Sequence, residues 1–404
     1  MHLPSESIAT NIEDTALNLL CNLLDLTPHH WPHRTFTTGA TASNMLGLAC
    51  GREYVIDEAS AHRTDAEVSV GEVGIAEAMC HAGIDKIQIL TTAPHSSLSK
   101  AASVLGLGRA CVKSVGLSDA AHRFDMGKLK TLLVQPGSAS IVVISASEVN
   151  TGLFATNGLS EMKEIRQLCD MYGAWIHVDG AFGLFARILS ANPALLAATE
   201  GIELADSLTG DLHKLLNVPY DCGFFLSRHA SLAPRVFQNA NAAYLSTGAT
   251  VDAIMSPLHV GIENSRRFRA LPVYATLVAY GRDGYRDMLE RQVGLARGIA
   301  KFLLQSVDFE LLPEAPEAAH GEEVLHGIFI IVLFRARDDG LNSQLVERIK
   351  AARRIYVSGT VWKGRPACRF AVANWQVQVQ RDLSVIEEVL GSVVEGWKAE
   401  QRAK

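Results

Sequence analysis

Cysteines at metal-binding or redox spacing are missing from this 404-residue sequence. Its seven cysteines, Cys21, Cys50, Cys80, Cys111, Cys169, Cys222 and Cys368, are scattered with no C-x-x-C among them. That argues against a zinc ribbon and a thioredoxin-like redox centre, and no metal is expected. Basic excess is missing too: 37 lysines and arginines face 43 acidic residues, leaving a formal net charge of −6. Such a balance does not favour phosphate backbones, so no nucleic-acid partner is expected. No stretch reaches the roughly 18 apolar residues of a membrane span. The start, MHLPSESIATNIEDTALNLL, lacks the basic residues and unbroken apolar run of a signal peptide. A reducing, cytoplasmic setting without membrane association follows as the expectation. What the sequence does have is 48% hydrophobic residues, enough for a sizeable core and for small-molecule chemistry inside it.

Residues 11 to 26 place Ile12, Ala16, Leu17, Leu19, Leu20, Leu23 and Leu24 at mostly helical spacing behind Thr10 or Asn11 as a cap, which predicts an amphipathic opening helix. Short apolar runs follow, KIQIL (86–90), SIVVISA (140–146), AWIHV (174–178) and CGFFL (222–226), separated by helix-like segments such as 159–172. This alternation predicts an α/β fold with a mainly parallel sheet covered by helices. After about residue 270 the pattern changes. A helix over 284–305, a strand in 327–335, a helix near 341–353, a strand at 369–373 and a closing helix from about 382 predict a smaller α+β domain. The expected division is 1–270 and 271–404, with 313–323 as an acidic surface loop.

Four constellations carry chemistry, each with an ordinary alternative. In TFTTGATASNMLGLACGR (35–52), a small-residue turn, Thr38-Gly39-Ala40-Thr41, opens a helix; its free N–H groups suit a phosphate, or simply cap the helix. In HVDGAFG (177–183), Asp179 ends an apolar strand. There it can keep a pyridine nitrogen protonated, or cap the next turn. In DSLTGDLHKLLNVPYDCG (206–223), Lys214 lies among Leu212, Leu215 and Leu216, whose apolar surroundings favour the neutral, nucleophilic amine, the ordinary alternative being a surface lysine that snorkels to water. In HSSLSKAASVLGLG (95–108), His95 follows a strand and Pro94, placed to stack on a cofactor ring or to act as a structural hydrogen-bonder.

Taken together, HVDGAFG and DxxxxDxHKLLNVPYDCG resemble the group II pyridoxal-phosphate (PLP) dependent amino-acid decarboxylases, the family of aromatic-amino-acid, histidine and glutamate decarboxylases. The resemblance runs from about residue 5 to 395. It implies the aspartate-aminotransferase-like PLP fold type I and a homodimer. By that resemblance Lys214 forms a Schiff base with pyridoxal 5′-phosphate, Asp179 pairs with the ring nitrogen and His95 stacks on the ring. Ala40 with Thr41 holds the phosphate, Ala181 packs beneath the ring, and His213 lies beside the Schiff base or phosphate. NSRRFRALPVYATLVAYGRDGY (264–285) and VWKGRPACRFAVANW (361–375) resemble later family segments, and Arg369 becomes an anchor for the substrate carboxylate or one partner of an ion pair. SEVNTG (147–152) sits where relatives carry a cofactor-contacting run, which points to Asn150 or Thr151.

Two departures bear on function. Family decarboxylases carry roughly a hundred residues more ahead of the opening helix. In eukaryotic aromatic members a mobile loop supplies a tyrosine as proton donor, whereas Ser246–Ser265 contains none; His259 is a substitute to consider, or a loop histidine with no role. The expectation is decarboxylation of an amino acid. The alternatives are a PLP lyase acting by retro-aldol cleavage or β-elimination, an aldehyde-forming oxidative decarboxylase, and a non-catalytic relative that acts as a binding partner.

Overall fold

The computed structural model describes residues 6–61, 63, 68–239, 254–314 and 321–403. The chain divides into two compact units. The first comprises Met1–Ala146, Phe154–Ile188 and Ala197–Arg282, and the second Ser147–Leu153, Leu189–Leu196 and Asp283–Lys404. The division falls inside one long stretch of helix, beyond the 270/271 boundary expected from the sequence.

Among the described residues, the first unit holds strands β1 (His33–Thr37), β2 (Lys86–Thr91), β3 (Val112–Ser114), β4 (Ser138–Ser145), β5 (Trp175–Asp179), β6 (Ser207–Asp211) and β7 (Gly223–Ser227). They form one sheet in the order β1-β7-β6-β5-β4-β2-β3. From β3 to β6 the neighbours run parallel, while β7 and β1 are antiparallel additions. The SIVVIS run of β4 is buried along almost its whole length, as a central strand covered on both faces must be. Register aligns Ser145 with Asp179 and Asp179 with Thr209, so β4, β5 and β6 finish near one another at the carboxyl edge, where open α/β sheets bind ligands.

Helices α1 (Ala9–Leu23), α2 (Ala40–Ala61), α3 (Ser96–Val104) and α4 (Leu159–Met171) belong to this unit. Helix α1 buries Ala16, Leu17, Leu20, Cys21 and Leu23, but Ile8 takes the cap position, with no side-chain cap, in place of Thr10 or Asn11. Helix α2 packs on β4 through β7. Because strand side chains alternate, Trp175, His177 and Asp179 share one face of β5. Residues 51, 47 and 44 of α2 recur at helical spacing to meet them. Two of these are glycines for a steric reason. A Cβ on Gly47 would stand 2.4 Å from His177 Cε1, and one on Gly51 would stand 2.9 Å from Trp175 Cδ1. The third position is Asn44.

The second unit carries β8 (Phe309–Leu312), β9 (Ile331–Ala336), β10 (Ser358–Trp362) and β11 (Arg365–Ala371), all antiparallel, in the order β10-β11-β9-β8. Phe334 and Phe370 stack at 5.3 Å in a core with Phe309, Leu345 and Leu390. The long helical stretch α5 (Ala270–Gln305) is broken at Gly281, whose φ of 57° and ψ of −171° no helix contains. Helices α6 (Leu345–Ala351) and α7 (Val379–Arg402) close the unit. Of the expected 313–323 loop, 315–320 lies outside the described residues, and Gly321–Gly327 is helical.

Candidate active site

Asp179 ends β5 with its carboxylate held by neutral donors. Asn44 Nδ2 donates to Oδ2 at 3.0 Å, and the Ala181 amide donates to Oδ1 at 3.3 Å. Two acceptor oxygens with one donor each keep lone pairs for a further partner. Asn44 Oδ1 lies 2.9 Å from His177 Nε2, and His177 Nδ1 lies 2.8 Å from Ser207 Oγ. Burial pushes the His177 imidazole down to about 4, against the opposing pull of Asp179, so it is neutral near pH 7. Asn44 Nδ2 also reaches Ser97 Oγ at 3.2 Å, and Ser97 Oγ is 2.6 Å from His95 Nδ1. His95 is exposed and caps α3, its Nδ1 accepting the Ser97 amide at 3.2 Å. Asp179, Ala181 and His95 thus belong to one hydrogen-bonded group.

Lys214 sits in the helical turn Leu212–Leu215 that follows β6. The sequence reading surrounds it with leucines; in the structure Leu212, Leu215 and Leu216 turn into the core, all at 1% exposure or less. The side chain of Lys214 keeps 26% exposure, with its Nζ 2.8 Å from Asp211 Oδ2 and 4.1 Å from the centre of the Phe182 ring. The other Asp211 oxygen accepts the Ala40 amide at 2.6 Å and lies 3.7 Å from His213 Nε2. Gly39 has a φ of 151°, and a Cβ there would come within 3.1 Å of Asp211 Oδ1. Glycine is therefore required where the chain enters α2. Thr41 follows on the first turn, whose amides have no carbonyl of their own helix to reach. His213 accepts the Cys222 amide at Nδ1 (3.3 Å), and its ring lies 4.3 Å from Tyr220 at 33°. Arg267 and Arg269 clamp the loop after Lys214: Arg267 donates to the carbonyls of Tyr220 and Asp221, and Arg269 pairs with the Asp221 carboxylate at 3.0 Å.

In the second unit Arg369 donates to the Val149 carbonyl and to Ser358 Oγ, and no described carboxylate forms an ion pair with it. Burial lowers its pKa, offset in part by Glu148. The Asn150 side chain accepts from Thr360 Oγ1 at 2.7 Å, and the Thr151 amide donates to Glu148. Residues 246–253 of the tyrosine-free stretch lie outside the described residues. His259 closes the turn Pro257–His259, its Nδ1 buried without a hydrogen-bond partner among the described residues.

Asp211, Asn44, Ser97 and Phe182 were not singled out by sequence. Asp211 stands in the DxxxxDxHK motif and Asn44 in the small-residue helix start, yet neither advertises a partner.

The donor set fits PLP. Asp179 offers a carboxylate to a protonated ring nitrogen, Lys214 an amine to an aldehyde, and the first turn of α2 its amides to a phosphate.

A parallel sheet edge with an amine, a carboxylate and a helix N-terminus defines the frame of an α/β PLP enzyme. The chain belongs to the pyridoxal-dependent decarboxylase family, whose conserved domain matches residues 3–321. It is 27% identical over 316 residues to the L-2,4-diaminobutyrate decarboxylase of Acinetobacter baumannii, covering 78% of this chain and 58% of that protein. With the 3,4-dihydroxyphenylacetaldehyde synthase of Drosophila melanogaster it shares 27% identity over 252 residues, 62% of this chain and 46% of the relative. The chain thus spans less than two thirds of either relative. The solved structure of Oryza sativa TDC with PLP and tryptamine superposes with a TM-score of 0.76 at 21% identity, covering 96% of this chain and 76% of that one. That likeness shares the fold: a mostly parallel seven-stranded sheet with a smaller antiparallel sheet after it.

Proposed function

We propose that this chain is a PLP-dependent carboxy-lyase acting on an amino acid, with Lys214 as the residue that carries the cofactor. Bound PLP supplies an electron sink for the electron pair left at the α-carbon when carbon dioxide departs. Asp179, held by neutral donors, offers its charge to the ring nitrogen and keeps a proton there. His95 presents its imidazole to the ring, Ala181 leaves space beneath it, and Phe182 lays its ring beside the Lys214 amine. The first turn of α2, at Ala40 and Thr41, is assigned to the phosphate, with His213 beside it; the Ala40 amide, which donates to Asp211, would exchange that partner for a phosphate oxygen. Arg369 is assigned to the substrate carboxylate; Glu148 offsets part of the burial of its charge but forms no ion pair with it. The observation that carries the reading is the placement of Lys214 on the turn after β6 and of Asp179 at the end of the neighbouring β5.

A homodimer is part of the proposal. Phe268, Leu271 and Val278 are exposed apolar side chains before and along the start of α5, a surface suited to a second copy. Light scattering should give a mass near twice 43.7 kDa. Seven unpaired thiols suit a reducing cytoplasm, and among the described residues no helix is long and apolar enough to cross a membrane.

The test is to incubate the protein with PLP and a panel of amino acids and to weigh the products. An amine lighter by carbon dioxide is expected. An aldehyde would favour oxidative decarboxylation, a reading supported by the tyrosine-free 246–265 stretch and by the synthase among the relatives. A β-cleaved product would move the enzyme to the lyases. Neither product nor visible absorbance would leave a non-catalytic relative, against which the presence of Lys214, Asp179 and His95 counts.

A further inference from the structure

Behind Asp179 the positions of the protons follow from the chemistry of that carboxylate. Trp175 Nε1 donates to Ser207 Oγ, 3.0 Å away, and Ser207 Oγ lies 2.8 Å from His177 Nδ1. An ionised Asp179 can only accept, so Asn44 must face it with Nδ2. With Nδ2 placed toward Asp179, Asn44 Oδ1 faces His177 and takes its Nε2 proton, so Nδ1 of the neutral ring accepts the Ser207 hydroxyl. The second Asn44 Nδ2 proton goes to Ser97 Oγ, and the Ser97 hydroxyl donates to His95 Nδ1, a nitrogen already accepting the Ser97 amide. The exposed Nε2 of His95 is therefore the protonated one. Both N–H donors of the Asn44 carboxamide and one lone pair of its oxygen are engaged.

We propose that Asn44 is the positioning residue that sets the polarity of the cofactor site, giving Asp179 an uncharged donor and, through the Ser97 hydroxyl, linking it to His95, whose Nε2–H tautomer the Ser97 amide fixes. The proposal rests on the PLP reading above. An uncharged donor orients the carboxylate without neutralising it, so its charge stays available to a ring nitrogen. A cation in the same place would offset that charge. His177 behind Asn44 remains uncharged because burial holds its imidazole at about 4. Gly47 admits the His177 ring against α2, which is why the group can close at all.

The test uses the cofactor-free protein and its PLP titration. In wild-type protein labelled with 15N-histidine, His177 and His95 should both show the Nε2–H tautomer. Asn44→Asp is closest in shape but turns two donors into acceptors facing Asp179 and Ser97, whereas Asn44→Leu removes the hydrogen bonds without adding repulsion. Asn44→Asp should bind PLP about 100-fold more weakly than wild type, and more weakly than Asn44→Leu. Ser97→Ala should keep its melting temperature within a few degrees and lower PLP affinity severalfold, while the backbone amide of residue 97 keeps His95 in its Nε2–H tautomer. Equal or tighter binding by Asn44→Asp than by Asn44→Leu would overturn the proposal, since a space-filling role predicts that order. Should Asn44→Asp fail to fold, a His177 Nδ1–H tautomer in the wild type would overturn it just as well. A wild type with no visible band in PLP would instead remove the cofactor reading, and the tautomers would still test the hydrogen-bond chain.

Discussion

Asp179 and Asp211 end neighbouring strands of the same sheet, and each is held by entirely different partners. Asp211 faces an ammonium at 2.8 Å and the Ala40 amide at 2.6 Å, so its charge is matched within the chain. Asp179 is held by a carboxamide and a backbone amide, both neutral, and its charge is left for a ligand. The contrast assigns different work to two chemically identical groups. One carboxylate serves the protein by keeping Lys214 and the entry to α2 in place. On the proposed reading, the other would be half of an ion pair that a cationic ring completes.

Substituting Asp179 by asparagine breaks the comparison most severely. It should lower kcat/KM by about 10³ while the cofactor-free protein melts normally, because the lost charge acts on the ring nitrogen and not on the fold. Steady-state kinetics beside a melting curve would check this.

Acid should act next, and on the Asp179 side. His177 is lowered from 6.5 to about 4 by burial, so between those values the unfolded chain binds a proton that the folded chain refuses. Stability is full above about pH 6.5 and declines as pH falls toward 4. His33 and His122, also lowered to about 4 by burial, act in the same direction. Replacing His177 with asparagine should therefore reduce the slope of urea midpoint against pH without abolishing it.

Gly47→Ala places a methyl 2.4 Å from the His177 ring. It should cost about 1–3 kcal/mol in urea unfolding and weaken PLP binding along with it. Asp211→Asn should cost the cofactor-free protein about 1–2 kcal/mol, since the amide still accepts from Ala40 and Lys214 is partly hydrated. Its effect on PLP affinity should be smaller than that of Asp179→Asn; a larger effect would reverse the roles assigned to the two carboxylates.

How far the sequence foretells this depends on what each residue shows locally. Lys214, Asp179 and His95 are legible because reactive side chains at the ends of apolar runs are unusual. Strands β2, β4, β5 and β7 are legible as apolar runs. Strand β6 is not, since SLTGD has little apolar character although every residue in it is buried. The leucines around Lys214 suggest an apolar setting, but a helical turn sends them inward and brings Asp211 to the amine instead. Asp211 meets Ala40 across 171 residues of sequence, and Asn44 meets His177 across 133. Such pairs exist only once α2 lies on the sheet, so no local pattern announces them. Asn44, Ser97 and Ser207 read as caps and spacers until the fold makes them partners.

The most direct test of the central claim is to mix the protein with PLP, record the visible spectrum, reduce with borohydride and map the modified peptide by mass spectrometry. The account predicts an absorbance band and a single pyridoxyl adduct on Lys214, absent in Lys214→Ala. No band, or an adduct on another lysine with Lys214 unmodified, would contradict it.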